Sequence, residues 1–159
     1  MRRTLISLGW FTFALNAWIT YRAVWGPDAL PERIPTHFDA AGNANGWGSP
    51  AMLLLLPVIG AGVYLAMGVV ARFPGAFNYP VQVRPEFRER AQELTLEMIA
   101  WLRAELACLF LVLQWMIIEA ARSGQGKAFP LVMPPFLVVV LGTIGWFVLA
   151  LVRLGTPRK

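Results

Sequence analysis

The chain has 159 residues, 57% of them hydrophobic and only 14% charged, and its net charge is +5. That length leaves room for one domain, and a soluble domain would carry about a quarter charged residues, so the composition excludes an ordinary soluble globule. The basic excess sorts by loop and gives no ground for a nucleic-acid partner.

Four apolar runs, at 4–25, 51–71, 99–121 and 134–153, carry the hydrophobicity. Each is about 20 residues long, enough at 1.5 Å per residue to cross a hydrocarbon core of about 30 Å. The expected fold is all-α, one polytopic domain over 1–159 with four transmembrane helices, an outer loop at 26–50 and a cytoplasmic loop at 72–97. Arg2, Arg3, Arg72, Arg84, Arg88, Arg90, Arg103, Arg153, Arg158 and Lys159 fall on one side of these spans, and Arg22, Arg33, Arg122 and Lys127 on the other. The richer side is expected to be cytoplasmic, which puts both termini there and the 26–50 loop outside.

The first run opens as "MRRTLISLGWFTFALNAW", basic and then apolar like a signal peptide. It continues to Trp25 without an A-x-A site, so an uncleaved first span is expected. The second contains Pro57, Gly60, Gly62 and Gly68, and Gly62 with Ala66 is a small-xxx-small pair suited to close helix packing. The third is helical before it is apolar. From Pro85, a good first-turn residue, no Gly or Pro follows until Gly124, so one helix of nearly 40 residues, about 57 Å, is expected to project into the cytoplasm. Glu86 and Arg90 are placed to pair, while Glu89, Glu93 and Glu97 form a like-charged stripe. A stripe of this kind is usually a solvated face; the other reading of 85–97 is a docking site for a cytoplasmic regulator. Prolines 130, 134 and 135 mark the entrance to the fourth span, and Cys108, the single cysteine, reads as a small apolar core residue.

Polar side chains within the runs need partners. Arg103 is expected to snorkel, and Glu105 to pair with Arg72 or Arg153. Glu119 matches Arg22 in depth, and Asn16 matches Gln114, where a hydrogen bond would tie the first and third spans together. No chain of acids crosses the membrane, so these groups read as packing ahead of an ion pathway.

The outer loop "LPERIPTHFDAAGNANGWGSP" holds the only histidine. Alternation puts Ile34, Thr36 and Phe38 on one face and Arg33, His37 and Asp39 on the other, which predicts a cap resting on the bundle with its polar set in water. Gly42, Asn45–Gly46 and Gly48 supply positions where φ > 0 is easy, and Trp47 suits the headgroup level. A metal shared by His37 and Asp39 would lack the third and fourth ligands that zinc needs. An EF-hand reading fails at Ala41 and Met52. Nucleophilic catalysis would need His37 to activate Thr36 or Ser49, with no oxyanion-hole motif in view. The expected partner of His37 is loop backbone or Asp39, and neither a metal nor a cofactor is assigned.

This loop resembles the signature of domain-of-unknown-function family 1648, carried by Leu30, Pro31, Ile34, Pro35, His37, Phe38, Gly42, Gly46 and Gly48. The segment "FNYPVQV" (77–83) and the helix after it are similar to those proteins as well. Asn45 and Pro50 depart from the pattern, standing where an aspartate and a lysine are common. The resemblance implies a small multi-span protein of the bacterial cytoplasmic membrane. The family's best-known relatives resemble SdpI-type immunity proteins, which protect a producer cell from a secreted toxic peptide and relay its presence to a cytoplasmic repressor. The function expected is therefore non-enzymatic: an immunity or signal-relay protein that binds an extracytoplasmic peptide or partner through Ile34, Pro35, His37, Phe38, Asp39, Asn45 and Trp47. The alternative is an accessory subunit of a larger membrane complex, and after it a membrane-embedded metal-dependent enzyme or a transporter.

Overall fold

The longest stretch free of Gly and Pro makes the longest helix. The computed structural model describes residues 1–27, 29–39, 41–123 and 129–156, with the backbone alone at 129, 130 and 156. Along it run helix α1 (Arg2–Trp25), strands β1 (Ile34–Phe38) and β2 (Ala44–Gly48), helix α2 (Leu55–Val70), strand β3 (Gln82–Val83), helix α3 (Arg88–Ser123), helix α4 (Phe129–Val152) and strand β4 (Gly155–Thr156). A 3-10 turn at Pro50–Leu54 leads into α2, and another at Pro85–Phe87 leads into α3. With 36 residues α3 is about 54 Å long. It is the central post, and α1, α2 and α4 pack around it.

Small residues on α3 let its neighbours approach closely. Ala100 and Ala104 meet Leu5 of α1, and Ala107 meets Phe13 and Tyr64. Toward the chain termini Ala91 and Leu94 pack with Phe147 and Leu151 of α4, and Tyr79 and Val83 close over them. There β3 pairs antiparallel with β4, Gln82 opposite Thr156 and Val83 opposite Gly155, tying the 72–87 connection to the C-terminal segment. Met1 lines the same groove as Arg90, Arg153 and Leu154, so the N-terminus and the end of α4 lie together. At the opposite end the β1–β2 hairpin closes the bundle.

Several expectations change. Gly62 faces open space; the close approach is made instead by Gly60, against Phe110, and by Gly68, against Arg103. These two flank the fully buried Tyr64 at four-residue spacing, on the opposite face from Gly62. Pro134 and Pro135 lie inside α4 rather than at its entrance, because the helix already begins at Phe129. Cys108 is exposed, since α3 turns Ala104 and Ala107 inward. Arg90 bonds Glu93 at 3.1 Å, not Glu86, and Glu86 lies 3.7 Å from Arg84; exposed pairs of this kind contribute little. Gly124, which bounded the expected third helix, and Lys127, Arg158 and Lys159, used in the topology argument, fall outside the described residues.

Two helical stretches, Pro50–Val70 and Leu131–Val152, are long and apolar enough to cross a membrane. Only 17% and 11% of them is buried within the protein, so neither is the core helix of a soluble fold. Large apolar side chains stay uncovered on α1 as well, among them Trp10, Phe11 and Trp18, although its Thr and Asn residues dilute its hydropathy. Uncovered apolar surface on this scale marks contact with lipid or protein.

Candidate functional site

The loop after α1 folds as a hairpin because its apolar residues and its turn residues agree. Leu30 and Ile34 enter a buried cluster with Ala23 of α1, Leu53 and Ile118 of α3. The Leu30 N–H reaches back to the Ala23 carbonyl at 2.8 Å, which brings the chain directly off the end of α1. Pairing runs Ile34↔Gly48, Pro35↔Trp47, His37↔Gly46 and Phe38↔Ala44. Thr36 on β1 and Asn45 on β2 are thus extra residues, two bulges that cancel in register. The expected alternation holds at most of the residues it named: Ile34 is buried, Thr36 and Phe38 are half-buried, and Arg33 and His37 are exposed, while Asp39 is half-buried and Pro35 is buried beside Ile34.

The tip is an Asx turn. One Asp39 carboxylate oxygen accepts the N–H groups of Ala41 (2.9 Å) and Asn43 (2.8 Å), and the other accepts from Asn43 Nδ2 (3.1 Å). Gly42, at φ 84°, is the only described residue in the left-handed region; the other loop glycines expected there lie at negative φ. Gly46 serves a different need, because a Cβ there would come within 2.9 Å of the His37 Cβ. His37 Nδ1 bonds Asn45 Oδ1, not backbone or Asp39. Asp39 is occupied by the turn, and the bulge at Asn45 brings the amide to the imidazole. Trp47 is 53% exposed on the outer face. Among the described residues no three His, Cys, Asp or Glu side chains converge.

Leu30, Ile34, Gly42 and Gly46 of the motif therefore each have a structural task. Residues 11–61, which hold the end of α1, this hairpin and the start of α2, match the family described as Domain of unknown function (DUF1648). Over these residues the chain is similar to the DUF1648 family. An uncharacterized protein of Archaeoglobus fulgidus is 29% identical over 126 residues, covering 70% of this chain and 67% of that protein. No solved structure matches the chain.

Hydrogen bonding from Asn43 and from the Ala41 and Gly42 backbone holds the Asp39 carboxyl below its ordinary value, against a smaller opposing effect of desolvation. A carboxyl with a depressed folded-state pKa contributes stability above its unfolded value and loses it as pH falls through the folded one. The tip of the hairpin should thus stay closed through neutral pH and loosen only below about pH 4. Amide chemical shifts of Ala41 and Asn43 followed down in pH check this, and Asp39→Asn should abolish the acid transition.

Beneath the hairpin, the segment that matches DUF1648 is tied to α3 by a buried polar relay. Gln114 Nε2 donates to Thr20 Oγ1 at 2.8 Å and to the Leu53 carbonyl at 3.1 Å. Thr20 Oγ1 donates to the Asn16 carbonyl at 2.7 Å. The direct Asn16–Gln114 bond expected from depth is replaced by this three-residue chain, because Thr20 lies one turn beyond Asn16 on the same face. Gln114→Leu keeps the volume but leaves the Leu53 carbonyl without its donor, and should destabilise by about 1–2 kcal/mol. Unfolding in detergent measures it.

Two further groups also differ from expectation. Arg103 and Glu105 stand two residues apart on α3, roughly 200° around the helix, so they face different neighbours. Arg103 does not snorkel: it is 8% exposed, and its guanidinium lies over the Tyr64 ring, 3.9 Å from the centroid. Glu105 turns to α4, where it accepts from Thr143 Oγ1 at 2.5 Å, while Arg72 and Arg153 are exposed elsewhere. Glu119 and Arg22 both lie at the surface near the hairpin end, and Arg22 lines a shallow cavity with Arg122, Ile19 and Trp115. Thr20, Tyr64 and Thr143 were not singled out in the sequence. The Asn16/Thr20 spacing was a usable signal, but nothing local marked the other two.

Proposed function

We propose that the chain is a non-enzymatic, four-span protein of the cytoplasmic membrane, with cytoplasmic termini and the hairpin outside. In this reading the hairpin binds an extracytoplasmic peptide or protein, in an immunity or signal-relay role. The observation that carries it is the contrast within the hairpin itself. Ile34 is wholly buried and Leu30 nearly so, which holds the strands in place, while His37, Asn45 and Trp47 are turned out. A seated platform that presents an exposed indole beside polar groups supports recognition, since aromatic residues provide contact area at low entropic cost. The ribbon has two strands only among the described residues, so strand addition by an extended peptide is the mode that its backbone suits. The ten-to-four distribution of basic residues supports the orientation, and the uncovered apolar surface supports the bilayer. At the cytoplasmic end, exposed Glu89 and Glu93 remain the surface offered to a regulator.

The test is gentle purification of the tagged protein from its native membrane, with mass spectrometry of what co-elutes. A peptide or protein held by wild type and lost from Trp47→Ala at equal recovery supports the reading. A fixed set of membrane partners held equally by both forms would make the chain an accessory subunit and remove the hairpin from recognition.

A further inference from the structure

At the terminal end of the bundle, α1, α2 and α3 enclose a cavity of about 240 Å³ whose polar lining includes three arginines, Arg2, Arg72 and Arg103. No carboxylate lines it; Ile6, Ile99 and Gly68 supply part of the remaining wall. Arg103 is buried, and its Nε has no hydrogen-bond partner. Among the described residues no acidic group pairs with it. The Tyr64 face beneath it is favourable for a cation but brings no counter-charge.

This arrangement leaves a buried cation without a counter-charge, which an anion would supply. Burying a charge without a counter-charge is costly, and a guanidinium cannot relieve the cost by losing its proton, as a lysine can. Two further arginines at the same cavity add like charge. Planar guanidinium forks match phosphate oxygens in pairs, and basic pockets between membrane helices suit phosphate headgroups. Gly68 keeps the approach to the guanidinium open, since a Cβ there would lie 3.0 Å from an Arg103 terminal nitrogen.

We propose that the Arg2–Arg72–Arg103 cavity binds a phosphate group, carried by an anionic lipid of the adjacent leaflet or free in solution. The inference rests on the membrane reading above and is independent of the hairpin's role. A lipid satisfies both parts of the site, its phosphodiester meeting the arginines and its glycerol and acyl attachments meeting Ile6 and Ile99.

The experiment is thermal unfolding of the full chain in maltoside micelles, titrated with short-chain phosphatidylglycerol, short-chain phosphatidylcholine and inorganic phosphate. Phosphatidylglycerol should raise the midpoint saturably and phosphatidylcholine should not. Arg2→Gln and Arg72→Gln, which alter accessible side chains at the cavity mouth, should each raise the half-saturating concentration roughly tenfold. Arg33→Gln, at the hairpin end, should leave it unchanged. Arg103→Gln should abolish the response if it folds, and the two mouth variants decide the matter if it does not. Inorganic phosphate that stabilises alone and removes the phosphatidylglycerol effect would assign the site to free phosphate. Identical responses to both lipids with phosphate silent, or mouth variants that respond like wild type, would overturn the site. Failure of the membrane reading is seen separately, as chain recovered in the aqueous supernatant before any detergent is added.

Discussion

Tyr64→Ala is expected to be the most damaging single substitution in the chain, at about 3–5 kcal/mol. Tyr64 is fully buried where three helices meet. Its hydroxyl donates to the Ile6 carbonyl of α1 at 2.9 Å, Trp10 and Phe13 stand edge-on to its ring at 5.3 and 5.2 Å, and Arg103 lies over its face. Truncation opens a cavity, releases a helix carbonyl and strips a buried cation of its ring at once. Tyr64→Phe should cost only about 0.5–1.5 kcal/mol, the net value of the hydrogen bond. Gly9 is the complementary test. A Cβ there would come within 2.5 Å of the Tyr64 hydroxyl, and the ring is hemmed in on its other sides, so Gly9→Ala should cost about 1–3 kcal/mol. Two ring carbons stand at 2.6 and 2.7 Å from the same Cβ, so losing the hydroxyl alone does not remove the clash. Tyr64→Phe instead frees the ring from the Ile6 carbonyl and lets it give way, so the two changes should be non-additive and Gly9→Ala should cost less in the Tyr64→Phe background. Unfolding in micelles with denaturant measures all four forms, and strict additivity would place the helices further apart than described.

Ile34→Ala should release the hairpin while leaving the helices assembled. The residue is completely buried at the junction of α1, the hairpin and α3, and its loss should cost about 2–5 kcal/mol. A two-stranded ribbon is marginal without a surface to rest on, so this loss should appear locally. Proteolysis or amide exchange should rise sharply across 30–48 and little in α3. If the hairpin is the binding platform, Ile34→Ala should also lose the co-eluting partner with His37, Asn45 and Trp47 all intact. A partner retained by an unseated hairpin would mean that recognition does not require the platform.

The legible parts of the fold were those written in local pattern. The 36 residues of α3 follow from an unbroken run of helix-compatible residues, and the seated loop follows from Leu30 and Ile34 set among turn residues. The motif that resembles DUF1648 was also legible, and Gly42 does what a glycine in a turn is expected to do. The alternation that turns His37 out and Ile34, Thr36 and Phe38 toward the bundle was legible too; the bulges at Thr36 and Asn45 were not, because only cross-strand pairing reveals them.

What the sequence determined by itself, then, was the inventory of elements: the four helices, the apolar length that suits two of them to a bilayer, the ordered loop and the family that its motif marks. These follow from composition and short-range periodicity, which act within a few residues. The partners were decided only in three dimensions. Depth matching paired Asn16 with Gln114 and Glu105 with an arginine, but rise along a helix fixes one coordinate and leaves rotation free. Rotation turned Glu105 toward Thr143, interposed Thr20, and set Arg103 on Tyr64 with Arg2 and Arg72 beside the same cavity. A helix places successive side chains about 100° apart, so which neighbour each polar group meets depends on how the helices pack, and that packing belongs to the whole chain.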